Sequence, residues 1–167
     1  MNKNNSKRNI DNLNESQYKA SLLLQMLLYC NVYISGTWVM WYGYYLFYNA
    51  EDFAKVQKLL TISGFIISVP AEGLRLYLGY SGNLSGKVSD LAGFWIISGL
   101  IQLPIHLYLS FTTEGPIILR VATYIILMFL ICETPVGFIV SRKLSIYQAQ
   151  LYHMKLLHSK TNANKNQ

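Results

Sequence analysis

Glu72-Gly-Leu-Arg75-Leu-Tyr-Leu-Gly79-Tyr80-Ser-Gly82-Asn83-Leu84 closes an otherwise apolar segment of membrane length. A carboxylate and a guanidinium three positions apart share one face of a helix. Inside hydrocarbon each is costly alone, so the spacing reads as a pair held within a transmembrane span. The Gly79-Tyr80-Ser-Gly82-Asn83 run that follows is turn chemistry, placed where the span leaves the membrane. This stretch makes the chain a membrane protein and puts its polar chemistry inside the bilayer.

Working outward, four apolar stretches reach spanning length: 22–48, 59–80, 91–111 and 117–140. Each meets the ~20 residues that cross about 30 Å of hydrocarbon. The chain has 167 residues, 52% of them apolar and 13% charged, so little remains for a water-soluble core. The expected organisation is a polar N-terminal arm (1–20), a four-span membrane domain (21–143) and a basic amphipathic tail (144–167). The first apolar run exceeds a signal h-region and reads as a retained signal-anchor helix. Asn14 or Ser16 is placed to cap a helix that starts before the membrane.

Lys and Arg are unevenly distributed. The arm carries Lys3, Lys7, Arg8 and Lys19, the central loop Lys87, and the tail Arg142, Lys143, Lys155, Lys160 and Lys165. The opposite side has Lys55 and Lys58, with Arg120 just inside span four. The positive-inside rule then predicts both termini in the cytosol. Asn4, Asn14 and Asn83 begin N-x-Ser sequons on that same side and are expected to stay unmodified.

Short connections at 49–58, 81–90 and 112–116 leave an up-down four-helix bundle as the expected fold, with the central connection a defined turn. Trp38, Trp41, Tyr42, Tyr44, Tyr45, Phe47 and Tyr48 crowd the far end of span one and read as an interfacial belt. Gly36, Gly43, Gly93 and Gly99 permit close helix approach, and Pro70, Pro104 and Pro135 bend their spans. Cys30 and Cys132 fall inside spans and read as small packing residues. In the tail, Leu144, Tyr147, Leu151, Met154 and Leu157 recur at helical spacing among basic residues and no acids. Such a helix suits an anionic cytosolic leaflet or a partner surface.

Glu133 in span four and Glu72 in span two lie at similar depth, roughly 12 Å inside the same boundary. Arg75 is therefore predicted to bridge Glu72 and Glu133, latching span two to span four. An ion or proton path competes, as do neutralised acids. A path needs polar groups in file, and the far half offers only His106, near the boundary, with Gln102 one turn away. No Ser/His/Asp or Cys/His arrangement, phosphate loop or metal cluster occurs, so neither an enzyme nor a cofactor is expected.

The stretch quoted above, with Lys87-Val-Ser-Asp90-Leu-Ala-Gly-Phe-Trp95 and Gln102-Leu-Pro104, resembles the hallmark of the transmembrane protein 17 family. Its core is Arg75-Leu-x-x-Gly79-x-x-Gly82-Asn83-Leu84. The likeness is strongest over 72–111 and continues by hydropathy and loop length across 21–143. It implies a non-enzymatic four-pass component of the ciliary transition zone. The partners implied are tectonic, B9-domain and Meckel-complex proteins, and the role is a diffusion barrier supporting cilium assembly and signalling. A small transporter or channel subunit is the alternative. Gly79, Tyr80, Gly82, Asn83 and Leu84 are then a candidate partner contact, or simply the turn that closes the hairpin. No nucleic acid or small-molecule substrate is implied.

Overall fold

The structure, a computed structural model, describes residues 20–49, 51 and 53–163. The arm at 1–19, with the cap at Asn14 or Ser16 and the sequons at Asn4 and Asn14, lies outside the described residues, as does Lys165. Four helices account for nearly all that is described: α1 (Leu22–Asn49), α2 (Lys55–Ser85), α3 (Val88–Thr112) and α4 (Ile117–Ala163). All four are long and apolar enough to cross a membrane. Among the described residues there is no strand.

Each helix packs on its neighbours in a ring, α1 on α2, α2 on α3, α3 on α4 and α4 back on α1. The buried positions of α1 are Leu24, Leu28, Asn31, Ser35, Trp38, Tyr42, Tyr45 and Leu46, and all but the last follow alternating steps of four and three. That spacing keeps one face turned to the bundle axis. The outer faces carry exposed Leu, Ile, Val, Phe and Tyr along their whole length. An apolar surface this extensive belongs in lipid.

Between α2 and α3 only Gly86 and Lys87 are non-helical. Helix α2 runs straight through the stretch that the sequence presents as a turn. It stops where Gly86 takes a left-handed φ of 62°. The Lys87 N–H then donates to the Gly82 carbonyl at 3.2 Å, a Schellman-type closure. The turn glycines Gly79 and Gly82 are instead packing sites. A Cβ on Gly82 would sit 2.8 Å from the Leu91 backbone nitrogen, and one on Gly79 2.8 Å from the Phe94 ring.

Asn83 is fully buried at this end and clasps the start of α1. Its Oδ1 accepts from the Ser21 N–H at 2.9 Å, while its Nδ2 donates to the Ser21 carbonyl at 3.0 Å and to Gln25 Oε1 at 2.9 Å. Both polar atoms of the sequon asparagine's side chain are thereby engaged inside the fold.

Helix α3 widens to π geometry at Ser98–Gln102, immediately before Pro104. Proline has no N–H for the carbonyl four residues back and its ring crowds that carbonyl, so the turn before it opens. The Leu103 N–H reaches Ser98 instead. The widened turn presents Ser98 and Gln102 to the interior, where both are buried.

Helix α4 continues unbroken for 47 residues, so the last span and the amphipathic segment are one helix. Leu144 is fully buried, and Tyr147, Leu151 and Met154 are half-buried on the same stripe. Gln148 Nε2 donates to the Gly86 carbonyl at 2.8 Å, which ties the helix to the α2–α3 connection.

Several single-residue expectations change. Trp38, Tyr42 and Tyr45 are core residues rather than belt, while Trp41, Tyr44, Phe47 and Tyr48 face outward. The first three fall on the inner face of α1, and helical phase decides over distance from the boundary. Cys30 and Cys132 are exposed on the lipid side. Gly36 has nothing within 4 Å of a built Cβ and so mediates no close approach.

Candidate functional site

The interior of the bundle divides into two apolar clusters with a charged layer between them. One cluster includes Leu24, Leu28, Phe94 and Leu144, the other Trp38, Tyr42, Leu109 and Ile126. Arg75 lies in the layer between and is fully buried. Its Nη2 donates to Glu72 Oε1 at 2.6 Å and its Nε to Glu72 Oε2 at 3.2 Å. Its Nη1 donates to Glu133 Oε2 on α4. The three residues are thus in direct contact, and the bridge runs diagonally from α2 to α4, two helices that do not neighbour each other in the ring.

The other two helices close the layer. From α3, Gln102 Nε2 donates to Glu72 Oε2 at 3.0 Å and to the Ser68 carbonyl at 2.9 Å. Ser68 Oγ returns a hydrogen bond to Gln102 Oε1 at 3.0 Å. From α1, Asn31 Nδ2 donates to Glu133 Oε2 at 3.1 Å. The Phe94 ring centroid lies 5.6 Å from the guanidinium carbon and gives Arg75 an aromatic face.

Sequence inspection reaches the three charged residues through type and depth. Asn31 and Ser68 escape it, because a single amide or hydroxyl in a span carries no partner information. Asn31 does carry a signal in hindsight, since it occupies the same four-three register as Leu28 and Ser35. Gln102 enters through the π turn, which helical spacing from His106 cannot reveal.

His106 is buried rather than interfacial. Its Nδ1 lies 3.1 Å from the Gln102 carbonyl, and its ring packs at a tilt against Trp38, with the centroids 4.9 Å apart. Trp38 Nε1 in turn donates to Thr123 Oγ1 at 3.0 Å, and Tyr42 Oη lies 3.0 Å from Thr113 Oγ1. The interior therefore holds more polar side chains than the four spans taken one by one predict. Bulky rings separate them: Trp38 and Tyr42 are both buried, and Phe65 stacks on Tyr42 at 5.6 Å.

The members of the Gly79–Leu84 stretch divide by face. Gly79, Gly82 and Asn83 are buried, while Tyr80 and Leu84 are exposed. Arg75, Gly79, Gly82 and Asn83 lie on the inner face of α2, so the motif's fixed positions describe helix packing. Chemically the charged layer can hold helices together and hold charge. Among the described residues no group of three His, Cys, Asp or Glu side chains is placed to bind a metal ion.

A family model described as a predicted membrane protein, the transmembrane-17 family, matches residues 26–131. The chain is 36% identical over 146 residues to transmembrane protein 17A of Danio rerio, covering 84% of this chain and 65% of that protein. It is 37% identical over 145 residues to transmembrane protein 17 of Homo sapiens, covering 84% of this chain and 72% of the human protein. No solved structure matches it. A match across most of the chain, on a bundle whose inner face carries the motif, means that the chain belongs to the transmembrane protein 17 family.

Proposed function

We propose that this chain is a non-enzymatic membrane component of the ciliary transition zone, working as a rigid four-pass scaffold. The family relationship over 84% of the chain carries the reading, because the transition-zone role comes with the resemblance. Several features support it. The connections are too short to form a domain outside the membrane, and the interior is filled by rings and a layer of buried charged side chains. Both termini are cytosolic on the distribution of Lys and Arg, which places the basic part of α4 on the anionic leaflet. Tectonic, B9-domain and Meckel-complex proteins are the partners in this reading. Tyr80 and Leu84 are the outward members of the motif left for such a partner. Arg75, with Glu72 and Glu133, is the latch that holds the scaffold's helices in one arrangement.

The test is to express a fluorescently tagged full chain in ciliated cells and image it against basal-body and axoneme markers. A ring between the two markers is expected. Signal spread over the endoplasmic reticulum or plasma membrane, with none at the ciliary base, overturns the reading.

The buried polar side chains from Asn31 to Thr113 favour a second reading, a small transporter or channel subunit. Flux measured in proteoliposomes decides it. Conductance or uptake that depends on Arg75 or His106 favours transport, and tight vesicles favour the scaffold.

A further inference from the structure

Two acceptor oxygens in the charged layer, Glu133 Oε1 and Asn31 Oδ1, have no hydrogen-bond partner. Both side chains are fully buried, and they already face each other through the bond from Asn31 Nδ2 to Glu133 Oε2. All other oxygens of the layer are engaged: Glu72 Oε1 by Arg75, Glu72 Oε2 by Arg75 and Gln102, and Glu133 Oε2 by Arg75 and Asn31. The layer also fails to balance in charge, with two carboxyl groups set against one guanidinium. His106 on α3 is the remaining titratable group facing it. Its Nδ1 bonds a backbone carbonyl rather than either carboxyl, so it supplies no contact to them.

We propose that the Glu133–Asn31 pair is a site for one monovalent cation, and that this cation is a proton. Taken up from water onto Glu133 Oε1, it makes a hydroxyl that donates to Asn31 Oδ1. Carboxylic acid and carboxamide are then joined by two antiparallel hydrogen bonds. One proton thus supplies the single donor that two orphaned acceptors lack, and it brings the formal charge of the layer to zero. A metal cation fits less well, because it asks for about six oxygens and only two here are unengaged. Buried polar groups are as a rule hydrogen-bonded, and a net charge in hydrocarbon is strongly disfavoured. The proton answers both conditions wherever in the cell the protein resides.

The full chain, purified in lipid nanodiscs at pH 7, is examined by infrared spectroscopy for a protonated-carboxyl C=O stretch that shifts in D2O. The wild type is expected to show such a band, equivalent to one carboxyl per chain. Glu133→Gln keeps the size and the donor, so it is expected to fold normally and lose the band entirely. Asn31→Leu removes the acceptor and is expected to move the band. If that variant does not fold, the Glu133→Gln comparison decides alone. Absence of the band in the wild type overturns the proposal. So does a band that survives Glu133→Gln, or one that Asn31→Leu leaves in place. Thermal stability that rises with sodium at constant ionic strength, with no band present, assigns the site to a metal cation instead.

Discussion

Helices α1 and α2 turn the same kind of face to the bundle axis and fill it in opposite ways. The buried positions of α1 include Leu24, Leu28, Trp38, Tyr42 and Tyr45. Those of α2 are Thr61, Ser68, Glu72, Arg75, Gly79, Gly82 and Asn83, in nearly the same register and with no apolar side chain among them. Lipid is as apolar as leucine, so burial of hydrophobic surface does not drive spans together. Close backbone approach, hydrogen bonds and shape do. Helix α2 provides the recesses and the charge, and its neighbours provide the bulk that fills them. Leu28 and Phe94 both lie within about 3 Å of a Cβ built on Gly79.

The contrast implies different fragility on the two faces, and Arg75→Leu is expected to expose it most. It removes the guanidinium that bridges Glu72 and Glu133, and breaking a buried pair costs about 3–5 kcal/mol. Thermal unfolding in nanodiscs, followed by tryptophan fluorescence, should show a collapse in folded yield or a large drop in Tm. Glu133→Gln should cost far less, and equal negligible effects of the two would remove the latch from the account. Next comes Gly82→Ala, whose new methyl meets the Leu91 backbone and forces α2 and α3 apart. The expected loss is about 1–3 kcal/mol. Gly36→Ala, on the exposed side of α1, meets nothing and should not lower Tm, so a matching loss there would show that the cost at Gly82 does not come from the α2–α3 contact.

On the bulky face, Trp38→Phe keeps most of the ring and removes the donor to Thr123. Thr123 still donates to the Leu119 carbonyl at 2.9 Å. The cost should be near 1 kcal/mol, the net worth of one hydrogen bond. A loss as large as that of Arg75→Leu would show that the aromatic half depends on its polar bonds as much as the charged half does.

The smallest effect lies outside both faces. Lys58, 2.8 Å from Glu51, holds that exposed carboxyl below its usual range through a hydrogen bond and charge attraction. A carboxyl lowered in the folded state contributes stability above its unfolded value and loses it as pH falls through the folded one. Lys58→Gln should therefore leave Tm almost untouched at low pH and lower it slightly near neutrality, an effect that salt screens. Melting curves between acid and neutral pH check this. A large shift would mean that the pair anchors the α1–α2 connection.

The four helices and the ring they form are legible in the sequence, because apolar length and short connections leave few alternatives. Arg75 and its two acids are legible for a related reason, since rare residue types at matched depth point to one another. What escapes is anything set by phase or by local backbone. The aromatic residues of α1 divide between core and lipid according to helical angle, which distance from the boundary does not give. The glycines at 79 and 82 carry turn propensity, yet the helix runs through them because their missing side chains are where α1 and α3 come close. The end of span four coincides with Arg142 in composition but not in backbone, since no glycine or proline follows Gly137 to stop the helix.

That continuity has a mechanical side. Helix α4 is seated in the bundle as far as Leu144 and pinned at Gln148 by the Gly86 carbonyl. The 15 residues from Ala149 to Ala163 project beyond the pin as an arm about 22 Å long. No hinge separates this arm from the membrane part, so a tilt of the bundle by a tenth of a radian sweeps its tip through roughly 2 Å. Because the membrane part and the arm are one helix, the direction of the arm is the direction of the last span.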